Sequence, residues 1–71
     1  MNKDIIQGKW SEVKGKVKQQ WGKFTDDDIT RMKGSFEELS GHIQKIYGYQ
    51  KDQAEKEINK FIDDNDLDNR D

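Results

Sequence analysis

The sequence predicts an all-α fold: four helices in a single domain, arranged as two crossed helical hairpins. Three observations predict it. Apolar residues recur at steps of 3 and 4 through most of the chain, and no stretch alternates as a strand does. Glycine is the only strong punctuation, since the 71 residues contain no Pro. One helical phrase is also written twice. GKWSEVKGKVKQQWG, residues 8–22, aligns with GSFEELSGHIQKIYG, residues 34–48. Glycine matches glycine at 8/34, 15/41 and 22/48. Aromatic matches aromatic at Trp10/Phe36 and Trp21/Tyr47, and aliphatic matches aliphatic at Val13/Leu39 and Val17/Ile43.

The first helix carries Ile6, Trp10, Val13, Val17 and Trp21 on one stripe, at steps of 4, 3, 4 and 4. Gly22 follows directly, where a left-handed cap costs glycine least. Thr25 is the expected N-cap of a short second helix. Asp26, Asp27 and Asp28 fill its first turn against the positive helix end, and Asp28 completes a carboxylate capping box. Ile29 and Met32 point inward, and the helix ends or bends near Gly34. The third helix buries Phe36, Leu39, Ile43, Ile46 and Tyr47 and stops at Gly48. The fourth places Ala54, Ile58 and Phe61 at helical spacing, with Glu55 and Glu57 alternating with Lys56 and Lys60 on its outer side.

Each half thus reads as helix, glycine stop, tight turn, helix. Packing the halves through their aromatic stripes gives a core led by Trp10, Trp21, Phe36 and Tyr47. The domain is expected to span residues 1–62. Beyond it DDNDLDNRD, residues 63–71, holds five Asp against one Arg and is expected to fray into a mobile acidic tail. Gly15 and Gly41 fall inside helices, where each costs about 1 kcal/mol relative to Ala. Two readings stand: another backbone approaches closely there, or the helices are kept soft.

Composition narrows the function. With 30% hydrophobic and 39% charged residues the chain sits near the polar edge of foldable sequences. The absence of Cys removes disulfide and thiolate chemistry and fits a cytoplasmic setting. No run approaches a membrane span, and Met1 to Ile6 opens no signal-peptide pattern.

The net charge of −2 hides an asymmetry. Residues 1–24 hold six Lys against Asp4 and Glu12, a balance of +4, and residues 25–71 carry −6. One reading is a basic helix lying near acidic ones. The sharper reading makes Lys9, Lys14, Lys16, Lys18 and Lys23 an anion-facing patch for nucleic acid or an anionic membrane surface. The overall negative charge opposes nucleic-acid binding. Lysine stems lining the edge of a small core explain the same pattern, and burial of the tryptophans decides between them.

No residue set spells out catalysis. His42 is the only histidine, with Glu38 one turn back and no other ligand type beside it, so it is expected to be a surface or boundary residue. Ser11, Thr25, Thr30, Ser35 and Ser40 include no nucleophile elbow. GKWSEVKG lacks the ending of a phosphate-binding loop. DNDLDN at 64–69 has oxygens at alternate positions but Asn69 where a calcium loop needs Gly. The expectation is no catalytic, cofactor-binding or metal residue, no cofactor and no small-molecule substrate, in a monomer or weak homo-oligomer.

The pattern KGKVKQQWGK, then TDDD, then YGYQKDQAEKEI resembles the CsbD-like family of small bacterial general stress response proteins, over roughly residues 2–61. The acidic ending from Asp63 has no counterpart in that resemblance. The resemblance implies a bacterial cytoplasmic protein, abundant under stress. It also implies a four-helix fold similar to the sterile-alpha-motif (SAM-like) arrangement of crossed hairpins. It supplies no active site, cofactor or ligand. Two functions follow: a non-enzymatic, hydrated protective protein, or a binding module using the basic first helix.

Overall fold

The structure is a computed structural model that describes residues 4–67. It is all-helical: α1 (Asp4–Gly8), α2 (Trp10–Gln20), α3 (Asp26–Arg31), α4 (Phe36–Tyr47) and α5 (Lys51–Asp64), with no strand among the described residues. The described residues form five helices rather than the expected four, because the first helix is broken at Lys9. That residue leaves helical geometry at φ −112°, ψ 18°. Its N–H still closes on the Ile5 carbonyl at 3.0 Å, while its own carbonyl starts the next helix, accepting from Glu12 and Val13 at 2.9 Å. Gly8, a poor helix former, immediately precedes the break. The break divides the stripe: Ile6, Val13 and Val17 are fully buried, whereas Trp10 is only half-buried at the core's edge.

α2 does not stop on a left-handed glycine. Its cap is Trp21, at φ −119°, ψ 81°, and Gly22 has no positive φ. The indole leaves the helix for the core, 5.1 Å from the Phe61 ring and 6.4 Å from Phe24. Burial of Trp21 makes the stop, and the freedom of Gly22 is not used for it.

α3 begins as expected. The Thr25 hydroxyl accepts from the Asp28 N–H at 3.1 Å, and the Asp28 carboxylate accepts from the Thr25 N–H at 3.0 Å. Phe24 and Ile29 hold the N′ and N4 positions of a hydrophobic staple around this cap, and both are buried. Met32 turns extended, and Gly34 follows at φ +88° with the Trp10 ring laid directly on it: a Cβ there would meet two indole carbons at 2.5 Å. Ser35 then caps α4, accepting from the Glu38 N–H at 3.1 Å, while the Glu38 carboxylate accepts from the Lys33 N–H at 2.9 Å. α4 ends on Gly48, which is left-handed at φ +73° and donates to the Gln44 carbonyl at 2.9 Å.

α4 and α5 form the principal hairpin, joined through Gly48–Gln50. α1 packs on α2 and α4, and α3 lies beside α2. α5 buries Ala54, Ile58 and Phe61 as expected, and Ile62 besides. It crosses the division expected after residue 62 and closes in a Schellman turn. Asp66 takes the left-handed position at φ +52°; its N–H reaches the Asp63 carbonyl, and the Leu67 N–H reaches that of Ile62 at 3.0 Å. Leu67 is buried with Ile62. Residues 63–67 therefore belong to the packed domain; residues 68–71 of the expected tail lie outside the described residues.

The core differs from expectation in its aromatic members. Phe24 and Phe61 are the largest fully buried side chains, joined by Trp21 and Phe36, while Trp10 and Tyr47 stand half-buried at its boundary. The repeated glycines also diverge. Gly34 and Gly48 have positive φ; their partners Gly8 and Gly22 do not. Only Gly15 and Gly41 behave alike, each inside a helix with nothing within 4 Å of where a Cβ would stand. Among the described residues no backbone outside their own helices approaches either.

Candidate functional site

The five lysines do not form one patch. Lys14 and Lys18, one turn apart on α2, face α3. Lys16 points the other way, beside Gln19, Gln20, Phe61 and Asn65 on the α5 side. Lys9 is half-buried at the break between α1 and α2. Lys23 lies in the following turn. Its N–H donates to the Tyr47 hydroxyl at 3.2 Å, and its ammonium stands 5.1 Å from the Tyr47 ring centre. Tyr47 in turn stacks on Tyr49 at 5.6 Å. Lys18 is further committed to an ion pair with the Asp26 carboxylate. The basic charge of the first half is thus dispersed and partly answered within the chain. Trp21, one of the two possible membrane anchors, is buried in the core.

Lys14 and Lys18 border a cleft of about 530 Å³ between α2 and α3. Ile29 and Met32 line its α3 side, the half-buried Trp10 ring lies at one end, and Gly15 forms its α2 side. Thr30 and Asp26 supply its other polar groups. Lys14 makes no ion pair among the described residues. Sequence reasoning missed this cleft. Its signal was a mid-helix glycine flanked at positions 14 and 18 by lysines.

The remaining polar groups serve the fold. Thr25 and Ser35 are helix caps. Ser40, the one buried polar residue described, accepts from the Gln44 amide at 3.2 Å. His42 is half-buried, its ring 6.1 Å from Phe24, and borders a shallow hollow with Glu38, Gly41 and Lys45. Asp28 is held below the ordinary carboxylate pKa, chiefly by the Thr25 backbone N–H; desolvation opposes this, and the Thr25 hydroxyl, His42 and Arg31 lower it further. Among the described residues no group of three His, Asp or Glu side chains is placed to hold a metal ion, and no helix is long and apolar enough to cross a membrane. Of the DNDLDN stretch, Asp64 ends α5 and residues 65–67 make its closing turn.

Comparison with known proteins gives one consistent answer. The family profile described as CsbD-like matches residues 4–56. The UPF0337 protein YjbJ of Escherichia coli K12 is 62% identical over 58 residues, covering 82% of this chain and 84% of the relative. YjbJ of Escherichia coli O6:H1 is 59% identical over 61 residues, covering 86% and 88%. The UPF0337 protein pc0632 of Protochlamydia amoebophila is 52% identical over 63 residues, covering 89% and 96%. With the family profile covering most of the chain and relatives this similar over most of their length, the chain belongs to the CsbD-like family.

Proposed function

We propose that this protein acts without catalysis, as a hydrated, charge-rich solute protein that shields other macromolecules through weak contacts in the bacterial cytoplasm. The observation that carries this reading is the separation of charge from core. The buried set is apolar apart from Ser40, so no charged side chain with a described environment is buried. In a chain that is 39% charged, this wraps a small core in ionised groups that hold water strongly. The open face at Gly41 supports it, since a mid-helix glycine that touches nothing leaves α4 softer than an alanine would.

The test is protection of a labile enzyme through heating or drying. Residual activity should exceed that obtained with an equal mass of a neutral control protein, and equal survival would refute the reading. The alternative, a basic α2 that binds nucleic acid or an anionic membrane, has weaker support because the lysines are dispersed. Salt-sensitive binding to duplex DNA, RNA or anionic vesicles, weakened by neutralising Lys14, Lys16 and Lys18, would put that module in its place.

A further inference from the structure

We propose that the cleft between α2 and α3 is a binding site for a free single-chain amphipathic anion, of the class of a medium-chain alkyl carboxylate. Its volume, about 530 Å³, lies within the range of roughly 300–1,000 Å³ usual for small-molecule sites. Its chemistry is divided in the same way as such a ligand. Ile29, Met32 and the Trp10 ring offer an apolar bed for a hydrocarbon tail. Lys14 and Lys18 stand on the rim, where a carboxylate would meet them.

The charge balance selects an anion. Asp26 answers Lys18, which leaves the Lys14 ammonium without a partner among the described residues and the cleft with one net positive charge. The Thr30 hydroxyl is a further hydrogen-bond donor at the cleft. Only part of the Trp10 surface is covered by the core, so an alkyl chain laid on it removes apolar area that water now touches.

Gly15 gives the independent argument. It lies in the middle of α2, where glycine is unfavourable, and has no positive φ to justify it. The space that a side chain would occupy is empty and opens on the cleft. Any larger residue would project into the volume assigned to the ligand. Gly41 opens in the same way on the hollow beside Glu38, His42 and Lys45. That hollow is smaller, about 320 Å³, and no aliphatic or indole side chain lines it, so the proposed ligand is assigned to the α2 side.

The test is a titration of the full chain with sodium decanoate at low salt, followed by amide and indole NMR. Saturable shifts are expected at Gly15, Thr30 and the Trp10 indole N–H, with Gly41 and Tyr49 unmoved. Octanoate should bind more weakly, by up to about fifteenfold for two methylenes. Lys14→Gln should weaken decanoate about two- to fivefold, the scale of one exposed ion pair. Gly15→Leu should abolish binding while far-UV circular dichroism and the urea midpoint stay at or above those of the parent, since the position is helical and open. Absence of saturable shifts would overturn the proposal. So would decanoate binding unchanged in Gly15→Leu, or the same shifts with phosphatidylglycerol vesicles but not with free decanoate. The protective role proposed above does not depend on any of these outcomes.

Discussion

Replacing Gly34 by Ala should come close to unfolding this protein, and two other glycines provide the controls. At Gly34 two costs coincide. The backbone stands at φ +88°, where an L side chain costs about 1–2 kcal/mol. The added Cβ would meet two carbons of the Trp10 ring at 2.5 Å and its Cβ at 2.8 Å. The indole must therefore move, at about 1–3 kcal/mol for an overpacked contact. Together these reach about 2–5 kcal/mol, against the roughly 3–5 kcal/mol that a core of this size supplies. Gly48 has the same backbone requirement, φ +73°, but nothing within 4 Å, so Gly48→Ala should cost only the first 1–2 kcal/mol or so. Gly15 has neither constraint, and Gly15→Ala should stabilise by about 1 kcal/mol. Urea unfolding followed by circular dichroism at 222 nm separates the three. With a slope near 1 kcal/mol per molar, each kilocalorie moves the midpoint by about 1 M. The expected order of midpoints is Gly15→Ala, parent, Gly48→Ala, Gly34→Ala. If Gly34→Ala and Gly48→Ala unfold together, the Trp10 contact contributes nothing and the reasoning fails.

Four further outcomes are expected. Thr25→Ala should lower stability by about 1 kcal/mol through loss of the α3 cap. Because hydrogen bonds from Thr25 depress the Asp28 pKa in the folded state, Asp28 contributes stability that is present above the ordinary carboxylate range and lost as pH falls through its lowered pKa. A pH series of urea midpoints should therefore show a shallower acid limb for Asp28→Asn than for the parent. Phe61→Ala, at a side chain only 2% exposed, should cost about 3–5 kcal/mol and unfold most of the population, whereas Tyr47→Ala at the half-buried edge should leave a folded domain. Far-UV circular dichroism reads both, and a folded Phe61→Ala protein would refute the assignment of the core's centre.

The parts of the fold legible in the sequence are those written by local chemistry. The Thr25–Asp28 box and the Gly48 stop depend on residues a few positions apart, and both stand as the sequence predicts. The apolar stripe of α4 was equally plain, because Leu39 and Ile43 keep a helical period throughout. What escaped lies off the period. Phe24 falls between a glycine and a cap, so no stripe includes it, although its place just before Thr25 is where a hydrophobic staple begins. Leu67 hides among acidic residues whose composition suggests a loose end, yet the left-handed Asp66 turns it back onto Ile62. Trp10 and Tyr47 have the right spacing and were assigned too deep a position, because period gives a residue's direction but not its depth. Side is likewise not given by order: Lys14 and Lys18 face α3 while Lys16 lies beside Phe61 and Asn65, and the cleft needs Ile29 and Met32 from another helix.

The break at Lys9 makes the opening turn of the protein a separate flap. Five residues cannot hold a helix unaided in water. α1 is kept wound by its seat on α4 and α2, to which it contributes the fully buried Ile6. Lifting it would uncover Ile6, the partly buried Ile5 and the surface of α2 and α4 beneath them, while the residues that cap α3 and α4 lie elsewhere in the chain. Opening at this end is therefore expected to cost less than global unfolding, and hydrogen exchange at the α1 amides reads it.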